Sequence, residues 1–188
     1  MSISGVVIAG GKSSRMGEDK ALLPFGGYST LAEFQYRKLE AIFNSVYISA
    51  KSNKFNFSAN IIADKYDSFN PLNAIISALE HTKEDIFLIS VDIPFVSVNT
   101  INKLLDCYNK NTNYDIYVAK SINGIEPTVA IYRQSVLISA IEMHKSSNFR
   151  LMSFIKSHKF KEVEVENLDE FLNINTKLEY KKSLLKVK

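Results

Sequence analysis

The chain contains one cysteine, Cys107, no tryptophan, four prolines and three scattered histidines among 188 residues. A lone thiol excludes an internal disulfide, and His81, His144 and His158 stand too far apart for a zinc-ligand pattern. Cys107 lies in a segment of helical character and reads as a packed core residue rather than a nucleophile. Charge of one sign is also scarce. Lys and Arg (23) exceed Asp and Glu (20) by three, and no basic run accompanies an aromatic-rich sheet pattern, so no nucleic-acid partner is expected. The opening "MSISGVVIAGG" lacks a basic flank, and its apolar stretch is too short for a signal segment or a membrane span. A cytoplasmic protein with no membrane partner is the expectation.

What is present is a core. Apolar residues make up 46% and charged residues 23%, enough for one globular domain over residues 1–188, with no repeat or linker to divide it. Short runs rich in Val, Ile, Phe and Tyr at 4–9, 45–50, 60–63 and 86–91 read as strands. Helical spacing lies between them, with Leu31, Phe34, the Lys38 stem and Ile42 on one face and Leu72, Ile75, Ile76 and Leu79 on another. That alternation predicts an α/β chain, a mostly parallel sheet with helices on both faces. Further strands are expected at 115–119 and 128–132, joined antiparallel through the turn at Asn123-Gly124, and at 161–166 as a half-exposed edge strand. Helices are expected over 98–108, capped by Asn99 or Thr100, over 134–144 with Leu137, Ile138 and Ile141 on one face, over 149–158, and at the C-terminus.

The stretch "VVIAGGKSSRMGEDK" resists the common phosphate-loop patterns. A Walker A loop needs a glycine where Val6 stands, and Gly10, Gly11 and Gly17 do not fit G-x-G-x-x-G. Yet a strand ending in bare glycine backbone, followed by Lys12, Arg15 and Lys20, suits a polyphosphate at the carboxyl edge of a parallel sheet. A second strand, "FLISVDIP", delivers Asp92 to the same edge, where a carboxylate can hold a hard divalent cation such as Mg²⁺. Together these features suit a nucleoside triphosphate. Asp64, Asp67 and Asn70 follow a third strand and read either as ligands or as ordinary turn and cap residues.

These segments resemble the molybdenum cofactor guanylyltransferases, nucleotidyltransferases with a Rossmann-like three-layer fold. The family's opening pattern, roughly L-A-G-G-x-S-x-R-M-G-x-D-K-x-L-L, stands here as "IAGGKSSRMGEDKALL". The likeness continues in order through "VDIPF", "EPTVAIY", "FRLMSFI" and "FLNINT", and so covers nearly the whole chain. It implies Mg²⁺-dependent transfer of GMP from GTP to molybdenum-bearing molybdopterin, giving molybdopterin guanine dinucleotide and pyrophosphate. It also implies transient contact with cofactor-biosynthesis proteins and acceptor molybdoenzymes. By that resemblance Ile8, Ala9, Gly10 and Gly11 meet the nucleotide through backbone, Arg15 and Lys20 hold the triphosphate, Asp64 helps bind nucleotide, and Asp92 ligates Mg²⁺. Pro71 and Leu72 stand in the base-binding loop, and Arg150, Asn173 and Asn175 match the pterin side. The chain departs from the family pattern in two places. "NPLNA" puts Asn70 and Ala74 where the family has glycines, and Ser49 stands where it can carry an asparagine. The alternative readings are a cytidylyl or sugar-phosphate nucleotidyltransferase, or a non-catalytic nucleotide-binding module.

Overall fold

The computed structural model describes residues 2–10, 16–67 and 70–187. Seven strands form one sheet in the order β3-β2-β1-β4-β6-β5-β7. They are β1 (Ile3–Ile8), β2 (Val46–Ala50), β3 (Ile61–Ala63), β4 (Asp85–Ser90), β5 (Ile116–Ser121), β6 (Gly124–Tyr132) and β7 (Phe160–Glu164). All neighbours run parallel except β6, which is antiparallel to both β4 and β5. The central strands are apolar throughout because both faces are covered: Val6 and Val7, and likewise Leu88 and Ile89, are fully buried on opposite sides.

One face packs against α1 (Leu31–Glu40) and α3 (Val98–Lys110), the other against α2 (Pro71–Thr82), α4 (Leu137–Lys145) and α5 (Leu151–Lys156). A last helix, α6 (Lys177–Leu184), opens on a capping box in which Thr176 and Glu179 satisfy each other's backbone N–H groups. Its Tyr180 hydroxyl donates to the Pro24 carbonyl at 2.6 Å, tying the C-terminal segment to the loop that follows β1.

Three local expectations are corrected. The cap of α3 is Ser97, whose hydroxyl accepts from the Thr100 amide, so Asn99 and Thr100 lie inside the first turn. In α4 the packed residue is Ala140, while Ile138 is 71% exposed and points away from Leu137 and Ile141. The buried face of α1 comprises Leu31, Ala32, Gln35, Tyr36 and Leu39. Phe34 and Lys38 flank it, and Ile42 falls beyond the helix end. The edge strand β7 is present as expected, but it runs parallel to β5, with Lys120 paired to Glu162 and Glu164 across the edge.

The β5-β6 hairpin closes where Asn123-Gly124 predicts a turn, with Gly124 at a φ of 119° that a side chain would disfavour. Beyond it the ladder is irregular. Val118 pairs with Ala130, but the next residue, Ala119, pairs with Glu126, so β6 bulges around Pro127 and Thr128.

Candidate active site

The order in which strands are added to the sheet reverses between the parallel strands β1 and β4: β2 and β3 lie to one side of this pair, while β6, β5 and β7 lie to the other. Open α/β sheets bind ligands in the crevice outside the carboxyl ends of strands at such a switch point. Here that crevice begins with Ile8, Ala9 and Gly10 at the end of β1 and Asp92 just past β4. The Ala9 amide donates to Ser49 O at 3.0 Å and the Val91 amide to Ile8 O at 3.0 Å, so the ladder holds both strand ends in register up to the crevice.

Lys20 meets Asp92 in the middle. It opens a short 3-10 turn, Lys20–Leu22, that Asp19 caps through the Ala21 amide. Its ammonium lies 2.5 Å from Asp92 Oδ2, 2.9 Å from Asn175 Oδ1 and 3.3 Å from the Ile174 carbonyl. Both side chains of the pair are mostly buried, at 15% and 18% exposure, so the ion pair is well shielded from solvent. Ser90 donates to the other Asp92 oxygen, and the Ile174 amide donates to the Asp92 carbonyl at 2.9 Å. Residues 20, 92 and 175 are remote in sequence, and the C-terminal "NINT" segment closes the group.

A second carboxylate, Asp64, follows β3, three strands from β4. The fully buried Ser49 of β2 donates its hydroxyl to Asp64 Oδ1 at 2.6 Å. Burial pushes the Asp64 carboxyl above the ordinary carboxylate range, with the Ser49 hydroxyl, Lys51 and Lys54 pulling it back. A Cβ on Gly10 would come within 3.1 Å of Asp64 Oδ2, so the glycine gives this carboxylate room beside the backbone of β1. Lys54 adds a cation by donating to the Ala9 carbonyl at 3.1 Å and pairing with Asp19.

The other expected residues are placed unevenly. Pro71 is the first residue of α2, and Leu72 is fully buried in the core below it. Asn70 is the cap of α2, with Oδ1 accepting from the Asn73 amide at 2.9 Å, which is the cap role open to it from sequence. Asp67 is an exposed partner of Lys51. Arg150 precedes α5 and is exposed. It has no described contact to Lys20 or Asp92. Asn173 is exposed and donates to the Phe171 carbonyl, whereas Asn175 joins the central group. Gly11 and Arg15 lie outside the described residues.

Sequence reasoning missed Lys54, which sits in an irregular segment with no pattern to mark it. It also missed Glu126, whose only signal is a carboxylate beside a proline in an otherwise apolar strand. Glu126 is half-buried and accepts from the Thr128 hydroxyl at 2.9 Å.

A glycine-ended strand, a lysine–aspartate pair at the switch point and a carboxylate held by Ser49 line one edge of an α/β sheet, and the chain is of the nucleotidyltransferase class. The MobA-like NTP transferase domain model matches residues 5–163. Molybdenum cofactor guanylyltransferase from Campylobacter jejuni subsp. doylei is 36% identical over 94% of this chain and 93% of its own length. The protein of the same name from Helicobacter pylori is 33% identical over 93% of this chain and 88% of its own. A crystal structure from Archaeoglobus fulgidus, described as molybdopterin-guanine dinucleotide biosynthesis protein A, superposes with a TM-score of 0.84 over 97% of each chain. At 20% identity it speaks for the fold. The chain belongs to the MobA-like NTP transferase family, in its molybdenum cofactor guanylyltransferase branch.

Proposed function

We propose that the crevice at β1 and β4 binds GTP with Mg²⁺, and that residues 1–188 act as one domain to transfer GMP to molybdenum-bearing molybdopterin. The observation that carries this reading is the shielded Lys20–Asp92 pair closed by Asn175 at the switch point. The reaction joins the terminal phosphate of the pterin to the α-phosphorus of GTP, breaks the α-β phosphoanhydride bond and releases pyrophosphate. No protein nucleophile is needed. The protein's task is to align two anions and to neutralise charge as pyrophosphate leaves.

The roles divide by place. The backbone of Ile8 to Gly11 cradles the nucleotide, and Lys20 with Arg15 holds the triphosphate. Asp64, steered by Ser49, accepts from the N1–H and N2–H donors of guanine, with Pro71 at the start of α2 framing the base, while Leu72, fully buried, only anchors that helix end in the core. Arg150, Asn173 and Asn175 serve the pterin side. Asp92 fits as a Mg²⁺ ligand because that ion is commonly held by one or two carboxylates together with substrate phosphates. Among the described residues no group of three or more His, Cys, Asp or Glu suits a metal held by protein alone. When bound, Mg²⁺ neutralises phosphate oxygens and the departing pyrophosphate. Delivery and acceptor proteins would meet the chain transiently at the open crevice. No helix among the described residues is long and apolar enough to cross a membrane.

Calorimetry with GTP, CTP, ATP and UTP in the presence of Mg²⁺ tests the reading. GTP is expected to bind in preference, and Lys20→Ala is expected to weaken it about 10- to 100-fold, the worth of one charge-assisted contact. A preference for CTP would move the assignment to the cytidylyl enzymes. Absence of binding by the native chain would leave a non-catalytic module.

A further inference from the structure

Glu126 belongs to the crevice by position but has no part in the chemistry described above. It lies on β6, the strand next to β4, and Asp92 is close enough for its negative charge to act on the Glu126 carboxyl. The β6 bulge sets its direction. The register jumps from Ala130 to Glu126, and the hydroxyl of the fully buried Tyr132 donates to the Pro127 carbonyl at 2.7 Å, fixing the bulge from below. Thr128, inside the same bulge, donates to Glu126 Oε1 at 2.9 Å. Bulges next to active sites characteristically re-aim a side chain, and here the side chain is a carboxylate.

What that carboxylate can accept is restricted. Burial pushes its pKa above the ordinary range, the Thr128 hydroxyl and amide pull it back, and Asp92 adds to the rise, so hydrogen-bond donors favour its charged form and further negative charge opposes it. A phosphate beside it would be repelled. Of the two substrates, the pterin bears an amino-pyrimidinone edge with two adjacent N–H donors, the same edge that guanine presents to Asp64. The two carboxylates sit on opposite flanks: Asp64, after β3, reaches past Ser49 of β2 to the end of β1 at Gly10, and Glu126 lies on β6, on the far side of β4. That order, with the Lys20–Asp92 pair between the two carboxylates, suits a dinucleotide with its pyrophosphate in the middle and one bicyclic ring on each side.

We infer that Glu126 is the specificity-determining residue for the acceptor and takes the two N–H donors of its pterin ring, as Asp64 takes those of guanine. The inference rests on the guanylyltransferase reading, so the native chain is measured first. Guanylyl transfer to molybdopterin and GTP binding are followed separately, and native protein inactive in both would defeat that reading rather than this one. In Glu126→Gln one of the two acceptor positions becomes a donor. The KM for molybdopterin is expected to rise about 10- to 100-fold, while GTP affinity and kcat at saturating acceptor stay within about threefold. Thr128→Val, which leaves the carboxylate in place but unsteered, is expected to raise the same KM by a smaller factor. It also carries the test if Glu126→Gln fails to fold. An unchanged acceptor KM in either folded variant overturns the assignment. So does a loss of Mn²⁺ affinity in the GTP complex, read by electron paramagnetic resonance, which would make Glu126 a metal ligand instead.

Discussion

Asp64 and Glu126 are both half-buried carboxylates that accept from a neighbouring hydroxyl, at 2.6 and 2.9 Å, yet the chain builds the two flanks differently. On the β2-β3 flank the hydroxyl and the carboxylate come from separate parallel strands, and ladder register brings Ser49 beside the end of β3. On the β6 flank both come from one antiparallel strand, and a bulge brings them together. Between the flanks, Asp92 and Lys20 are held by three separate segments: the stretch that follows β1, the end of β4, and the C-terminal segment at Ile174 and Asn175. A regular ladder positions its side chain through strand geometry alone, whereas a bulge needs its own buried fastening, here Tyr132. The centre, with partners from every side, is the part least able to lose a member.

The sharpest way to break this comparison is to remove the centre. Asp92→Ala is expected to lower guanylyl transfer by about a thousandfold or more, since it deletes the proposed metal ligand and the partner of Lys20. The fold should survive, because the Asp92 carbonyl that receives the Ile174 amide belongs to the backbone. Pyrophosphate release and a thermal melt check both halves of the statement. A folded variant with native turnover would remove Asp92 from the metal site.

On the ladder-built flank the effects should be graded. Asp64→Asn is expected to weaken GTP about 10- to 100-fold and to erase discrimination against inosine triphosphate, which lacks the N2 amino group. Ser49→Ala leaves the carboxylate but loses its 2.6 Å donor, so a smaller change, about three- to tenfold, is expected. Calorimetry of both variants with both nucleotides decides it. Equal binding of GTP and inosine triphosphate by the native chain would show that Asp64 does not meet the base edge.

The flanks also differ in how far the amino-acid sequence discloses them. Apolar runs ending in Gly10, Asp64 and Asp92 mark parallel strands with their chemistry at one end, and the observed ladders place all three at the crevice edge. Asn175 could be placed only through family resemblance, because its meeting with Lys20 spans 155 positions and depends on how the last segment crosses the sheet. Glu126 was hidden for another reason. Strand periodicity assumes an unbroken ladder, and the shift between Val118 and Ala119 changes which residue faces the crevice. At α3, Ser97, Asn99 and Thr100 are all competent cap residues, and only backbone geometry selects Ser97. Apolarity alone puts Ile138 on the buried face of α4, but one helical face cannot hold both it and Ala140 against α2.

The smallest expected effect concerns what holds the centre from behind. Lys38 of α1 reaches under the loop after Asp92, and its ammonium donates to the Pro94 carbonyl at 2.6 Å and the Val96 carbonyl at 2.9 Å. Burial lowers its pKa to about 7, with Glu170 opposing the shift. The unfolded chain keeps the proton up to about 10.5. Between those values the unfolded state therefore binds more protons than the folded one, and folding stability attributable to Lys38 rises with pH through this window and is lost as pH falls toward 7. Lys38→Met removes the titration and leaves two carbonyls without that donor, a loss of about 1 to 3 kcal/mol at high pH. Urea melts of both chains from pH 7 to 10 should show the native protein gaining stability relative to the variant as pH rises. Parallel curves would mean that Lys38 stays charged in the fold, its two carbonyl acceptors and Glu170 together outweighing burial. The loop carrying Asp92 would then be fastened by an ordinary ammonium rather than a titrating one.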